Sequence, residues 1–412
     1  MNSYSLVEKT LQRILILIKP KDDDWAVRFH IFQEVRDAVE SVESLRGATV
    51  EPYGSFVSNL FTRRGDLDIS IQILSGSYIT YAGRKQKESL LADLLETLRS
   101  EGTWRKLRFV NNARIPFLKL EHNLQISVDI SINNLIGHMK AKLLFWINEI
   151  DRRFHEIVLL VKEWAIAHDI NESESGALHS YSLTLLVIFH FQTCVPAILP
   201  PLKDLYPGDL AHDLSGVRTD AEKQIEETFA LSMDRFRRSR KINRSSLTDL
   251  LISFFAKFSD IDERALVQGI NPYSGQWEDI GSNMAWLPRK YALYVEDPFE
   301  QPANTARTVT NIHLTRTAEA IRATHDILAA TGHNQATLFA TLIRQDRLSP
   351  RTRSKVRNPK ETGSYNLSRP QVDRASHQTR NSKNNGRSKN ANKNRPVWSN
   401  HNQAQQVWRP KH

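Results

Sequence analysis

Two short segments of the chain alternate strictly between apolar and polar residues, and both carry aspartate on the polar side. The first is residues 66–73, which begins with Asp66 and Asp68 on that side. The second is residues 124–132, in which Asp129 takes the same place. Because successive side chains of a β-strand point to opposite faces, each segment is predicted to be a strand with one buried face and one acidic face.

Carboxylates in this arrangement are suited to a metal site. Hard divalent cations such as Mg²⁺ prefer carboxylate oxygens, and Mn²⁺ is the expected substitute. Asp66 and Asp68 project side by side, and Asp129 joins them if the two strands are neighbours. An isolated Asp-x-Asp motif is more often simply solvated. The third acid and the Gly54-Ser55 turn that precedes the pair favour a site in which the three aspartates are catalytic metal ligands.

The Gly54-Ser55 turn itself indicates a phosphate site. Gly54 tolerates a tight bend, and Ser55 presents a hydroxyl and a backbone N–H ahead of residues 56–60, which can begin a helix. Helix N-termini attract phosphate oxygens. Taken alone, Gly-Ser is a common turn. Eleven residues ahead of Asp66, it predicts the triphosphate end of a nucleotide site.

With a Gly-Ser turn, an Asp-x-Asp motif and a third aspartate on a later strand, the chain resembles the DNA polymerase β-like nucleotidyltransferases. Further motifs narrow the resemblance to the noncanonical poly(A) polymerases and terminal uridylyltransferases, and then to plant enzymes that add U tails to small RNAs. Residues 158–165 look like their triphosphate-binding helix, and residues 179–183 look like the helix start that contacts phosphate and base. Residues 296–300, followed by Arg307, look like their nucleotide-recognition loop. The resemblance covers residues 5–330.

The resemblance implies an α+β fold, in which a polymerase β-like mixed sheet forms the catalytic domain and a helical poly(A)-polymerase-associated domain faces it. Residues 1–25 are expected to form an N-terminal helix that packs on the helical domain, and residues 26–140 the catalytic domain. Residues 141–335 are the expected helical nucleotide-recognition domain, and residues 345–412 a disordered basic tail.

Periodicity predicts the elements within these domains. Leucines at helical spacing predict a helix over residues 87–100. Residues 105–110 and 115–121 are predicted strands, and the second turns into the Asp129 strand as a hairpin. From residue 140 onward the pattern becomes almost wholly helical. Further helices are predicted over residues 5–18, 25–45, 154–168, 181–193, 220–237 and 245–258.

The resemblance also implies nucleotide-binding roles outside the strands. Lys162 would bind triphosphate oxygens, Ser180 would offer its hydroxyl to the γ-phosphate, and Tyr181 would stack on the base. Asp297 and Glu300 would accept the N3–H of uracil, directly or through water, since adenine offers no donor there. From the residues alone, Lys162 also fits a surface lysine, Tyr181 a core aromatic, and the two loop acids an ordinary turn.

The chain departs from the family pattern at three places. Ala303 stands where several uridylyltransferases carry a histidine that disfavours adenine, and Asn304 is a candidate replacement. Ile166 stands where a second lysine is expected, and residues 138–140 stand where a ribose-contacting asparagine is expected. These changes affect base selectivity and nucleotide affinity, but not the metal chemistry.

Positive charge is concentrated at the end of the chain. Residues 351–412 contain 15 Lys and Arg and two acids, a net +13, whereas the whole chain carries +10 and residues 1–350 therefore carry −3. The segment has almost no large apolar residues, so it cannot bury enough surface to fold alone. It is suited to attract phosphate backbones or nuclear import factors, and Trp398 and Trp408 can stack on bases. An inert solvated tail has the same composition.

Other classes of protein find little support in the sequence. A single cysteine, Cys194, excludes an internal disulfide. The N-terminus lacks a signal-peptide pattern, and no apolar run reaches the ~20 residues that a bilayer requires. We therefore expect an intracellular protein of the nucleus and cytoplasm. The histidines lack zinc-site spacing, and no Walker-type loop is present.

These features predict a template-independent RNA 3′-terminal uridylyltransferase. It would transfer UMP from UTP to the 3′-OH of single-stranded, small RNAs by two-metal catalysis. The expected partners are RNA 3′ ends, UTP and small-RNA effector proteins, with no membrane and no DNA. A poly(A) polymerase that uses ATP is one alternative, and a catalytically weak adaptor that binds RNA through its tail is another.

Overall fold

A mixed β-sheet organises the first half of the chain. The computed structural model describes residues 3–73, 76–171, 176–287, 290–332, 334–344 and 346. The strands of the sheet are β1 (Thr49–Tyr53), β2 (Leu67–Gln72), β3 (Trp104–Val110), β4 (Phe117–His122) and β5 (Ser127–Ile132). Their order is β1-β2-β5-β4-β3, in which β2 and β5 are parallel and the other neighbours antiparallel. The predicted mixed sheet and its β4–β5 hairpin are confirmed.

One face of this sheet is buried under helices. The N-terminal helices are α1 (Ser3–Ile18), α2 (Asp22–Ser41), α3 (Gly54–Val57) and α4 (Arg84–Ser100). The apolar side chains of α2 and α4 share one hydrophobic core with the strands, including the fully buried Leu67, Ile69, Val128 and Ile130. These are the apolar members of the two alternating segments, so the side-chain alternation predicted for both strands is confirmed.

The second half of the described chain is mainly helical. Its helices are α5 (Leu135–Asn148), α6 (Arg152–Ala167), α7 (Ser180–Gln192), α8 (Leu210–Asp213), α9 (Arg218–Ser239), α10 (Leu247–Lys257), α11 (Ile261–Arg264), α12 (Asn311–Ala329) and α13 (Gln335–Leu342). They enclose a separate core, and α1 belongs to it, since Leu11, Ile14 and Leu15 pack with α6, α10 and α13. The predicted domain boundaries remain predictions, although this packing of α1 agrees with the role expected for residues 1–25.

The helical half also contains a small hairpin that the sequence analysis missed. Strands β6 (Gln268–Asn271) and β7 (Gln276–Asp279) pair antiparallel. Each strand has four residues. Such a length is too short for alternation to be distinguished from a loop.

Helix α5 starts almost immediately after β5, which links the sheet to the helical half. The side chain of Asn134 accepts a hydrogen bond from the backbone N–H of Gly137 at 3.1 Å and so caps the helix. The backbone N–H of Asn134 donates to the Ser70 hydroxyl on β2 at 2.9 Å. The beginning of α5 is therefore fixed to the polar face of the sheet.

A buried network of charges covers the β1 side of that polar face. Arg218 of α9 makes a bidentate ion pair with Glu51 of β1 at 2.7–2.8 Å and also pairs with Glu222. Lys142 of α5 pairs with Glu222 at 3.0 Å. Burial alone would raise the pKa of Glu51, but Arg218 outweighs it and lowers that pKa. The network ties β1, α5 and α9 together.

Two further sequence expectations concern the tail and membrane-spanning helices. The predicted tail, residues 345–412, lies outside the described residues except for Asp346. Among the described helices, none combines the length and the apolar character that crossing a membrane would require.

A buried arginine holds the loop that leads into β2. Arg28 of α2 is fully buried. Its guanidinium donates to the carbonyl of Asp24 at 2.9 Å, of Arg63 at 3.3 Å, and of Gly65, while it lies 4.6 Å from the ring centroid of Phe61. Through these hydrogen bonds Arg28 fixes the approach to Asp66.

We expect the substitution Arg28→Met to lower the free energy of unfolding by about 2–4 kcal/mol, because it leaves buried carbonyls without their donor. Urea denaturation measures the effect. Arg36→Met on the same helix is the control, since Arg36 makes only a long ion pair, 3.9 Å, with the exposed Glu40. Equal losses in the two variants would contradict the role given to Arg28.

Candidate active site

The strand pairing places two of the three predicted aspartates directly beside each other. In the parallel β2–β5 pair, Asp68 is the register partner of Asp129. Register partners share a face of the sheet, and neighbouring strands lie about 4.8 Å apart. Asp66 lies just before β2, on the same side by alternation, and is exposed. The sheet therefore presents Asp68 and Asp129 side by side on its polar face, and Asp66 precedes the same strand.

The Gly-Ser turn lies against the second acid of the pair. Gly54 has φ +64°, and a Cβ built on it would overlap the Asp68 carboxylate. The backbone N–H of Ser55 donates to that carboxylate and lowers its pKa. The turn and the acid therefore form one unit. The amide predicted to meet phosphate is engaged with Asp68, whereas the Ser55 side chain stays half-buried beside it.

The electrostatics of this unit favour a bound cation. Burial, reinforced by Asp66, raises the pKa of Asp68 to about 7, although Lys162 and Lys119 act in the opposite direction. Burial also raises the pKa of Tyr53, with a contribution from Asp68. An acid that is held among other negative charges in a partly desolvated site is stabilised as an anion by a nearby positive charge.

Lys162 supplies part of that charge. Its ammonium is buried and donates to the carbonyl of Leu60 at 2.8 Å. Burial lowers the pKa of Lys162 to about 8, while Asp68 and Asp66 raise it. The lysine is therefore not an exposed surface residue, and α6 directs it towards the acids. Its predicted contact with triphosphate remains a prediction.

The donor set fits Mg²⁺, because carboxylate oxygens are the ligands this ion prefers and two of the carboxylates are cross-strand neighbours. In the described part of the chain, no three Asp, Glu, His or Cys side chains are already gathered closely enough to hold a metal ion. Like-charged carboxylates repel one another, so a cation is what would draw them to a common point. The convergence of Asp66, Asp68 and Asp129 therefore stays a prediction.

A second cluster brings together the predicted base-binding residues. The Tyr181 hydroxyl donates to Asp297 at 3.1 Å. The ammonium of Lys140 contacts both Asp297 and Glu300 and lies 5.4 Å from the centroid of the Tyr181 ring. Arg114 makes a bidentate ion pair with Glu300 at 2.9–3.1 Å. Burial would raise the pKa of Glu300, but these two cations lower it.

Both acids of the recognition loop are ion-paired within this cluster. Asp297 and Glu300 are expected to accept the N3–H of uracil, directly or through water; in the structure both are paired with cations, and their contact with uracil remains a prediction. Lys140 and Arg114 were not identified as site residues. Lys140 was noted only as part of residues 138–140, where an asparagine was missing. Lys140 and Lys142 are the two charged residues of the largely apolar α5, and this contrast is the signal that could have identified Lys140.

The remaining predicted residues take different places. Ser180 is exposed and is the first residue of α7, next to Tyr181. The Asn304 side chain accepts hydrogen bonds from the backbone of Val295 and Ala306 at 2.9–3.0 Å. Asn304 therefore stabilises the conformation of the recognition loop. That Asn304 takes the role of the histidine that several uridylyltransferases carry at the position of Ala303 remains a prediction.

The chain is similar in sequence to known proteins. Residues 7–149 match the family described as "Poly(A) RNA polymerase, mitochondrial-like, central palm domain". The chain is 55% identical over 327 residues to Protein HESO1 of Arabidopsis thaliana, which covers 79% of this chain and 64% of HESO1. It is 26% identical over 335 residues to terminal uridylyltransferase cid1 of Schizosaccharomyces pombe, which covers 76% of this chain and 77% of cid1. The chain thus spans less than two thirds of the length of HESO1.

The fold is also similar to solved structures. The Cid1 poly(U) polymerase with MgGTP bound superposes with a TM-score of 0.63 at 24% identity, over 81% of this chain and 98% of that one. The mtPAP structure with GTP gives a TM-score of 0.64 at 22% identity, over 82% of this chain and 75% of that one. At these identities the likeness establishes the fold, a mixed sheet joined to a helical region.

We expect Gly54→Ala to destabilise the protein more than Gly47→Ala does. Both glycines have positive φ, +64° and +83°, but a Cβ at Gly47 meets nothing within 4 Å, whereas one at Gly54 meets Asp68. Backbone strain costs each variant about 1–2 kcal/mol, and the overlap adds about 1–3 kcal/mol to Gly54→Ala. Urea denaturation compares them, and equal losses would mean that the turn does not press on Asp68.

The buried Glu296, next to the second cluster, predicts a pH-dependent stability. Burial and Glu278 raise the pKa of Glu296 from 4.5 to about 7. Its folded pKa is therefore the higher one, and wild-type stability falls as the pH rises between these two values. We expect Glu296→Gln to be neutral below pH 4.5 and stabilising by on the order of 1–3 kcal/mol above pH 7. Glu319→Gln, at an exposed position, should show no such trend in urea denaturation across pH.

Proposed function

Because the chain belongs to the family of noncanonical poly(A) and poly(U) polymerases, we propose that it is a template-independent RNA 3′-terminal uridylyltransferase. It transfers UMP from UTP to the 3′-OH of single-stranded RNA. The observation that carries the proposal is the parallel β2–β5 register, which sets Asp68 beside Asp129 while the Gly54 turn lies against Asp68. A pair of neighbouring acids beside a tight turn is suited to a nucleotide with its metal ions.

In this proposal Asp66, Asp68 and Asp129 hold Mg²⁺, or Mn²⁺ as a substitute. Held by these carboxylates, the ion would supply positive charge that lowers the pKa of the attacking hydroxyl and stabilises the leaving pyrophosphate. Lys162, which faces Asp66 and Asp68, contributes its charge to the triphosphate. Because Gly54 has no side chain, the Asp68 carboxylate can lie directly against the turn.

The second cluster orients the base. Tyr181 is half-buried and anchored through its hydroxyl to Asp297, so its ring is held in one place. Lys140 adds hydrogen-bond donors there, and uracil presents two carbonyl acceptors, whereas the corresponding edge of adenine carries an amino donor. This chemistry and the similarity to a terminal uridylyltransferase support UTP. The match to a poly(A) polymerase palm domain is the observation that keeps ATP as the second candidate.

The proposed partners are UTP and the 3′ ends of small single-stranded RNAs, together with effector proteins that bring them. The proposed location is the nucleus and cytoplasm, where basic runs such as residues 351–355 are suited to nuclear import factors. The tail would add electrostatic attraction for RNA.

The test is extension of a labelled short RNA with a free 3′-OH, offered each NTP separately with Mg²⁺. We expect extension with UTP above the other three. We expect Asp129→Asn to reduce the rate by roughly 10²-fold or more while RNA binding persists, because one of the three carboxylates that would hold the metal ion is lost. Asp37→Asn, at an exposed position on α2, is the control with unchanged rate.

Each other result has a definite meaning. Preference for ATP would identify a poly(A) polymerase. RNA binding without extension by any NTP would identify an adaptor. Near wild-type extension by Asp129→Asn would show that the assigned acids are not the metal ligands.

A further inference from the structure

A continuous row of side chains crosses the polar face of the whole sheet. The strand registers pair Tyr53 with Asp68, Asp68 with Asp129, Asp129 with Lys119, and Lys119 with Arg108. Register partners point to the same face, so the row changes from acidic on β2 and β5 to basic on β4 and β3. Lys119 is close enough to the acids to lower the pKa of Asp68.

The two ends of this row differ in exposure. On the β1 side, α5 and α9 cover the face, and Arg218 of α9 forms an ion pair with Glu51 of β1. In the adjoining row, Ser70 and Ser131 are buried. On the other side, β3 is the edge strand and Arg108 is exposed, while Lys119 is half-buried. Among the described residues of this row, exposure therefore increases from β1 towards β4 and β3.

The two substrates must approach the acids from different directions. The Gly54 turn and Lys162 lie beside Asp68, which is where the triphosphate is placed under the proposed function. The RNA 3′-OH then has to reach Asp129 from the opposite side of the row. That side leads over Lys119 and Arg108, which are about one and two strand spacings from Asp129, roughly 5 and 10 Å.

We propose, on the basis of the proposed function, that Lys119 and Arg108 bind the last phosphates of the RNA and so set the direction of its 3′ end. Lys119 lies nearest Asp129 and contacts the final internucleotide phosphate. Arg108 lies one strand further and contacts a preceding phosphate. An ammonium and a guanidinium are both suited to phosphate oxygens, and such contacts position a chain without reading its sequence.

In the adjacent row of the same strands, the register partner of the arginine is an acid and not a second cation. There Arg105 is the register partner of Glu121, and Glu121 also forms an ion pair with Lys106 at 2.6 Å. The carboxylate offsets the positive charge at that position. Arg105 is as exposed as Arg108 and lies on the same strand, so it provides a matched control.

The test uses the full chain and a labelled single-stranded RNA, and it measures binding and extension separately. We expect Arg108→Ala to weaken RNA binding about 3- to 10-fold, and to reduce the slope of log K against log salt by about 0.7, the value for one phosphate contact on a single strand. KM for RNA should rise by the same factor, while kcat and KM for UTP stay unchanged. Arg108→Lys should restore most of the binding, and Arg105→Ala should have no effect.

A second arm locates the contact. RNAs with one neutral methylphosphonate linkage are tested at each of the last positions before the 3′ end. Wild type should lose affinity at one of the linkages preceding the last, and Arg108→Ala should be insensitive there. Equal sensitivity of both proteins, or equal effects of Arg108→Ala and Arg105→Ala, would overturn the proposal. Because binding is measured without UTP, a failure to extend RNA would refute the proposed function without deciding this one.

Discussion

The parallel pairing of β2 with β5 is the constraint on which the rest of the site depends. Its register sets Asp68 opposite Asp129 and, in the same step, buries Ile69 against Ile130 on the other face. A slip of one residue would exchange the two faces, so it would bury the acids and expose the isoleucines. The hydrophobic core therefore enforces the position of the carboxylates. The chemistry of one face is fixed by the packing of the other.

The site consists of two charge clusters, one with excess negative charge and one that is neutralised. In the first, acids exceed cations, so the pKa of Asp68 rises to about 7 even though Lys162 opposes the rise. In the second, Lys140 and Arg114 outweigh burial and lower the pKa of Glu300. The first cluster is completed by added positive charge, whereas the second is already neutralised and held rigid by its own ion pairs. A cation-bearing triphosphate suits the former, and an uncharged base suits the latter.

The sequence predicted those features whose signal is local. Alternation located β2 and β5, and the buried Ile69 and the half-buried Asp68 follow it, although Ser70 on the polar face is buried as well. The pairing partners of Asp297 could not be predicted in this way, because Lys140 lies 157 positions away in the chain and no local pattern links them. For the same reason, the sequence alone did not reveal the full order of the strands in the sheet. The row from Asp129 to Arg108 becomes visible only when β3, β4 and β5 are adjacent.

Helix α5 explains how the two clusters keep a fixed relation. Asn133 accepts the backbone N–H of Ile73 at 2.7 Å, and Asn134 donates to Ser70, so the first turn of α5 is bonded to β2. Lys140 follows within two turns of the same rigid helix. A shift of β2 would therefore move the acids and Lys140 together. The metal-binding face and the base-binding cluster are positioned by one continuous element, which lets the two halves of a nucleotide be placed at a set distance.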